Sequence, residues 1–304
     1  MLPVRGPRES TMSSQSRVLI FGGEGQVGRA IAAAGAEGEC VALSHSHADV
    51  TDPASVAAAL DAYLPEVVIN AAVFQPVDLC ESAASAAFAV NALGPGYLAA
   101  ACGRRDVRLI HLSTDYVFSG AKRTPFRERD CPAPLNVYAR SKLAGEHVVL
   151  AADARHSIVR TSSVYGRSLP GAAVQSFVAR MLQRALDGEP TRVVDDQIVS
   201  PTCADDLAQG LWQLAGSSAS GLFHMAGSTP ASWYEVAETV FRYAGRPDLL
   251  ARTTSAEFGA PATRAPYTAL TSERLEEAGI EPIPGHDKAL SRHLDHTYPD
   301  LRRG

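Results

Sequence analysis

Tyr138 and Lys142 stand four residues apart, so on a helix they share one face, one turn from each other. A free tyrosine titrates near 10, too high to exchange protons easily at neutral pH. A neighbouring ammonium favours the phenolate and lowers that value. Upstream, the apolar run Val107–Ser113 reads as a strand with Thr114 at its carboxyl end, where open α/β sheets bind ligands. The Thr114 hydroxyl can hydrogen-bond a carbonyl oxygen as it becomes an alkoxide. Together the three groups suit proton transfer to a carbonyl under reduction. Tyr-x-x-x-Lys alone is common by chance and reads equally well as a solvated helix face.

What selects the chemical reading is a place for a hydride carrier. Gly22, Gly25 and Gly28 form G-x-x-G-x-x-G, enclosing Gln26 and Val27. The buried-strand run Arg17–Phe21 precedes the turn, and Gln26 to Gly35 reads as a helix. A pyrophosphate needs backbone N–H groups at a helix N-terminus with no side chain in the way. The second strand, Cys40–Leu43, ends in Ser44-His45-Ser46-His47, where an acid would bind a ribose diol. Without that acid a 2′-phosphate is not repelled, so NADPH is expected ahead of NADH, although no Arg clamp is evident. Ser44 and His45 are candidates there, with Asp49 and Val50 near the adenine. His45 and His47 have no further metal ligands close by and read as a solvated loop, so no metal is expected.

Asp52-Pro53 should open a helix running to about Tyr63. The strand Glu66–Asn70 then leads into Asn70-Ala71-Ala72, small residues that let the backbone approach the dinucleotide. Asp78 to Cys102 reads as an Ala-rich helical region broken at Gly94-Pro95. Ser113 and Thr161, at the ends of the strands Val107–Ser113 and Ser157–Thr161, lie on the cofactor side; Lys142 can also bind the nicotinamide ribose beside Tyr138. Alternating strands and helices predict a doubly wound parallel sheet. After Gly166 the pattern changes. A helix is expected over Ala172–Leu186 and another over Trp233–Tyr243, with Trp233 in the core. Arg192–Val194 and Leu222–His224 read as strands returning to the sheet or its edge.

These residues resemble the extended short-chain dehydrogenase/reductase superfamily, and within it the dTDP-4-dehydrorhamnose reductase family. The stretches that carry the resemblance are Gly22–Gly28, Ser113–Gly120, Asn136–Glu146 and Arg160–Gly166, with Asp196-Gln197 and Pro201-Thr202 as a fifth. It extends over roughly residues 17 to 297. It implies a Rossmann-type domain over 17–165 with returning segments near 191–224, and a smaller substrate lobe over 166–304. It also implies reduction of the 4-keto group of a dTDP-6-deoxyhexulose, with hydride from the nicotinamide and a proton from tyrosine. Asn91 would play a supporting polar role near the cofactor, and Phe74, Asp115, Tyr116, Val117, Ser163 and Gln197 would face the sugar.

The chain departs from the family pattern where a sugar would touch it. Ser163 stands where Trp is common, Val73–Glu81 replaces Ala-Tyr-Thr-Ala-Val-Asp-Lys-Ala-Glu, and Arg264-Ala265 replaces Arg-Pro. The expectation is the same reaction on a different nucleotide-linked keto-sugar. Related dehydratases carry Asp-Glu after the Thr; here Tyr116 fills the second place, leaving the acid/base pair for water elimination incomplete. An epimerase or GDP-sugar reductase is one alternative. A non-catalytic regulatory subunit, like the methionine adenosyltransferase beta subunit, is another. The family's dimer and magnesium contacts have no identifiable residues here, so a homodimer stays open.

The 304 residues carry a net charge of −5 and a pI near 6.0, giving no basic field for nucleic acid. Five scattered cysteines without C-x-x-C spacing read as reduced thiols of a cytoplasmic protein. No run of about 18 apolar residues suggests a membrane span. Residues 1–16, rich in Pro and Ser, read as a disordered tail.

Overall fold

The structure, a computed structural model, describes residues 18–35, 40–167, 175–299 and 301. The expected tail and the first residues of the helix expected from Ala172 lie outside them. The first half runs β1 (Val18–Phe21), α1 (Gln26–Ala34), β2 (Cys40–Leu43), α2 (Pro53–Tyr63) and β3 (Val67–Asn70). It continues with α3 (Val77–Ser82), α4 (Ala84–Phe88), α5 (Gly94–Arg104), β4 (Arg108–Thr114), α6 (Val137–Ala152) and β5 (Ser157–Thr161). Then come β6 (Val164–Tyr165), α7 (Phe177–Leu186), β7 (Thr191–Val194), β8 (Ile198–Val199), β9 (Thr202–Cys203), α8 (Ala204–Gly216) and β10 (Gly221–His224). The chain closes with β11 (Ala231–Ser232), α9 (Trp233–Tyr243), β12 (Leu250–Thr253), α10 (Ser255–Phe258) and α11 (His286–Thr297).

Six parallel strands form the central sheet in the order β10-β5-β4-β3-β1-β2. The fold is the expected α/β class. Because strand side chains alternate, each apolar strand feeds two cores. Val18 and Ile20 of β1 pack with Ile31 of α1 and Leu207 and Leu211 of α8 on one face. Leu19 and Phe21 pack with Leu60 of α2, Leu98 of α5 and Val149 of α6 on the other. A third core joins α7, α9 and α11 in the C-terminal lobe, where the half-buried Trp233 packs against Phe177 with centroids 4.6 Å apart and the rings tilted by 57°.

Three expectations need correction. Leu222–His224 joins the central sheet through β10, but β7 does not: it pairs with β12, and Val193 is drawn into the core of the lobe. The helical region does not break at Gly94-Pro95. It breaks at Ala83 (φ −122°, ψ 44°), then runs through a π-turn over Ala89–Leu93 in which Gly94 N donates to Ala89 O. That shift of register places Pro95 in the first turn of α5, where its missing N–H costs nothing. Finally, α7 starts at Phe177, because the Ser176 hydroxyl caps it by accepting from Ala179 N at 3.2 Å. Among the described residues, Ala84–Arg104 is long and apolar enough to cross a membrane by length and composition, yet half of it is buried inside the protein. All five cysteines are free thiols.

Candidate active site

The glycine turn follows β1 and lies against the residues that follow β3, since these strands are neighbours. Ala71 N donates to Phe21 O at 2.9 Å, and Gly25 N to Gly22 O at 3.0 Å. Gly22 has φ +77°, and a Cβ there would meet Ala72 N at 2.6 Å. A Cβ on Gly28 would run into the Gly22 carbonyl oxygen. Gly25 caps α1 without a side chain, so the first-turn N–H groups of Gln26, Val27 and Gly28 face outward. Close by, three buried polar atoms have no partner among the described residues: Gln26 Nε2, Thr161 Oγ1 and Ser163 Oγ. A bare helix N-terminus and orphaned polar atoms at the carboxyl edge of the sheet fit a dinucleotide.

Other residues expected around the cofactor spend their side chains within the protein, and for Asn91 that is the supporting polar role the resemblance implies. Asn70 is fully buried and bonds His111 Nδ1 and Ala72 N, each at 3.0 Å. Asn91 clamps Phe74, accepting from its N–H at 2.9 Å and donating to its carbonyl, and donates to Ser141 Oγ. Ser113 donates to Glu146, and Val50 is a core side chain against Gly94. At the end of β2, Ser44 is buried and bonded to Ser46 and His47, while His45 is exposed. Asp49 takes two bonds from Thr51 on one oxygen, which hold its carboxyl below the usual range.

The structure sets Thr114 beside Tyr138, with Lys142 one turn further along α6. Asn136 caps α6 by accepting from Ala139 N at 2.8 Å, and its amide donates to Thr263 O, fixing the helix start. Tyr138 is buried, with the Thr114 and Gln75 side chains close to its hydroxyl and the Tyr116 ring edge-on at 5.8 Å. Lys142 Nζ donates to Leu112 O at 2.6 Å and lies 3.4 Å from His111 Nε2. Within the protein, burial pushes the Tyr138 phenol up, so the expected lowering by Lys142 does not prevail. Burial also pulls Lys142 down to about 8, against the Glu146 carboxylate one turn along α6. Glu146 is held by a buried two-pronged bond from Arg160, at 2.9 and 2.6 Å.

The expected sugar contacts divide. Tyr116 and Phe74 pack around Tyr138. Arg264 bonds both oxygens of Asp78, at 3.0 and 2.9 Å, and also reaches the Tyr116 hydroxyl. Asp115 is a correction: it is 1% exposed, and its carboxylate is surrounded by the hydroxyls of Thr114, Ser162 and Thr268. Burial pushes it up to about 6 despite those bonds. Val117 is a second, its side chain packed with Phe118, Phe126 and Tyr267. Gln197 is a third: it is buried and its amide donates to Ser255 Oγ at 2.8 Å. Ser163 adopts φ +47° with its hydroxyl unpartnered.

Sequence reasoning missed Gln75, His111, Glu146, Ser162 and Thr268. Gln75 stood in a stretch already marked as divergent, and Glu146, one turn beyond Lys142, and Ser162 stood in the stretches that carry the resemblance; His111 and Thr268 carry no spacing signal, because contacts between distant segments create their roles. Elsewhere, Cys203, Asp205 and His293 place potential metal-ligand atoms within 4.8 Å of one another. The Arg292 guanidinium beside that thiol opposes a cation there.

The model of the RmlD substrate binding domain matches residues 16–298. The chain is 42% identical to the dTDP-4-dehydrorhamnose reductase of Mycobacterium tuberculosis, over 91% of this chain and 92% of that protein. It is 37% identical to the dTDP-4-keto-6-deoxy-D-glucose reductase of Streptomyces niveus, over 91% and 96%. Its fold is similar to that of a Bacillus anthracis dTDP-4-dehydrorhamnose reductase solved with NADP. There the TM-score is 0.88 and the identity 31%, covering 93% of this chain and all of that one.

Proposed function

The chain belongs to the RmlD substrate binding domain family, and we propose from that premise that it is an NAD(P)H-dependent reductase of a nucleotide-linked 4-keto-6-deoxyhexose in deoxysugar biosynthesis. The observation that carries the reading is Thr114 beside Tyr138, with Lys142 one turn along α6, in a chain whose turn at Gly22–Gly28 is free of side chains. The turn and the first-turn N–H groups of α1 would hold the pyrophosphate. When bound, the reduced nicotinamide supplies hydride to the carbonyl carbon. Tyr138 gives its proton to the carbonyl oxygen, and the Thr114 hydroxyl supports that oxygen as charge develops. Lys142, charged, favours the phenolate left behind. Asp115 keeps Thr114 in place and, enclosed by hydroxyls, is not free to carry a sugar proton; this supports reduction over elimination.

Two features support a sugar other than dTDP-4-dehydrorhamnose. Ser163 stands on a left-handed turn where family members commonly place Trp, and the Phe74–Pro76 loop reaches Tyr138 through Gln75. The net charge of −5 supports a small-molecule substrate over nucleic acid. The test is NADPH oxidation with enzymatically made dTDP-4-keto-6-deoxyhexuloses, with and without a 3,5-epimerase. Oxidation is expected with at least one. Its absence, with NADPH binding intact by fluorescence, would overturn the reductase reading. A strong preference for dTDP-4-dehydrorhamnose would overturn the altered-sugar reading alone.

A further inference from the structure

One ionisable group behind the cleft has no part in the reaction above. His111, in the middle of β4, is fully buried, with Asn70 of β3 on one side of its ring and Lys142 of α6 on the other. The Asn70 amide cannot turn over freely. Its oxygen accepts the Ala72 N–H at 3.0 Å, so its NH2 faces His111 Nδ1, also at 3.0 Å. A donor facing Nδ1 requires a lone pair there. Burial and the Lys142 charge keep the imidazole neutral, so its single proton sits on Nε2, the nitrogen 3.4 Å from Lys142 Nζ. An N–H directed at an ammonium sets donor against donor; directed at an amine it finds a lone pair. The Lys142 bond to Leu112 O can be made by either form but is stronger from the ammonium, so it acts against the His111 N–H.

We propose that Asn70 and His111 are positioning residues that set the protonation equilibrium of Lys142: Asn70 fixes the Nε2–H tautomer of His111, and that N–H favours the amine over the ammonium. The other groups facing Lys142 are few. Glu146 and Tyr138 flank it on α6, and Arg160 of β5 is committed to Glu146. Glu146 pulls Lys142 toward the ammonium, while burial pulls it toward the amine, the direction in which His111 also acts. The consequence rests on the reductase reading. Because the ammonium is the form that supports the Tyr138 phenolate, activity falls as Lys142 loses its proton, and the pair sets where that alkaline limb lies.

The direct test is 15N NMR of histidine-labelled protein, with the His111 resonances assigned from a His111→Gln sample. Protonated Nε2 with bare Nδ1 is expected; protonated Nδ1 would overturn the proposal, whatever the substrate. The second test is the pH profile of kcat/KM. Asn70→Leu releases the tautomer, so Nε2 can accept from the ammonium, and the alkaline limb should move up by about one pH unit, the worth of one hydrogen bond. His111→Gln keeps the polarity, because Asn70 holds its amide oxygen and its NH2 still faces Lys142. Its limb should stay near that of the parent protein. An Asn70→Leu limb coincident with the parent would also overturn the proposal. Absence of turnover with every keto-sugar would count against the reductase reading instead, leaving the NMR result to decide this one.

Discussion

The turn at Gly22–Gly28 and the cluster behind Tyr138 build their sites from opposite material. The turn works because side chains are missing: a Cβ at Gly22 or Gly28 would strike backbone. The cluster works because polar side chains are present where they are expensive. Asn70, His111, Asp115, Lys142, Glu146 and Arg160 are all buried, and each is satisfied by another polar group. A backbone site tolerates nothing added. A buried polar site tolerates nothing removed, because every loss strands a partner.

The largest effect should come from removing one atom of the cluster that touches the reacting oxygen. Tyr138→Phe should lower kcat by about 10²–10⁴-fold, the usual worth of a general acid. NADPH affinity should stay nearly unchanged, since the turn is untouched. Steady-state kinetics with a fluorescence titration separates the two. Unchanged turnover would sink the tyrosine assignment. The converse variant adds one methyl to the turn. Gly28→Ala presses its Cβ on the Gly22 carbonyl oxygen, which cannot move without opening the turn. Overpacking of this kind costs about 1–3 kcal/mol, so NADPH affinity measured by calorimetry should fall about 5- to 150-fold. If affinity survives, the pyrophosphate does not sit there.

The same contrast explains what could be read from the chain. The turn was legible because its requirement is local: glycines at fixed spacing between a strand and a helix. Tyr138 and Lys142 were legible for the same reason, one helical turn apart on α6. Asp115 was not. Its neighbours in sequence pointed it toward a ligand, but its partners Ser162 and Thr268 come from segments 47 and 153 residues away. Asn91 was legible only in kind: a supporting polar role was expected, and its bonds tie Phe74 to Ser141, partners the sequence did not name. β7 failed in the same way: its apolar residues suit any sheet, and only packing with the lobe core selects β12 as its partner.

Asp115 gives a smaller effect, read through pH. Burial raises its carboxyl from 3.8 to about 6, so the folded protein holds this proton more tightly than the unfolded chain. Its contribution to stability is therefore greatest below about pH 4 and declines as pH rises toward 6. Comparing Tm against pH for the parent and Asp115→Asn should isolate that slope. Activity should run the same way. The ionised carboxylate takes the single Thr114 hydroxyl proton, which is then least available to the reacting oxygen, so kcat should fall as pH rises through about 6, and Asp115→Asn should erase that step. A step that persists in the variant would move its origin away from Asp115.

The smallest effect lies where neither material applies. At the end of β2, His45 has a side chain 82% exposed, in a loop that is neither a bare backbone cradle nor a buried network. His45→Asp puts a carboxylate where a ribose 2′-phosphate would come. Two unit charges about 4 Å apart in water repel by roughly 1 kcal/mol, so KM for NADPH should rise about fivefold. KM for NADH should hold or fall, because its 2′ position is uncharged and an acid at this strand end can bind the ribose diol. Stability should change by less than about 0.5 kcal/mol, as for other exposed substitutions. Equal shifts for both cofactors would mean that the variant disturbs the Ser44–His47 turn and not the phosphate. No shift for either would place the 2′ end of the cofactor away from β2. Exposure that limits the penalty also limits the discrimination, so cofactor preference at this loop should be a matter of degree.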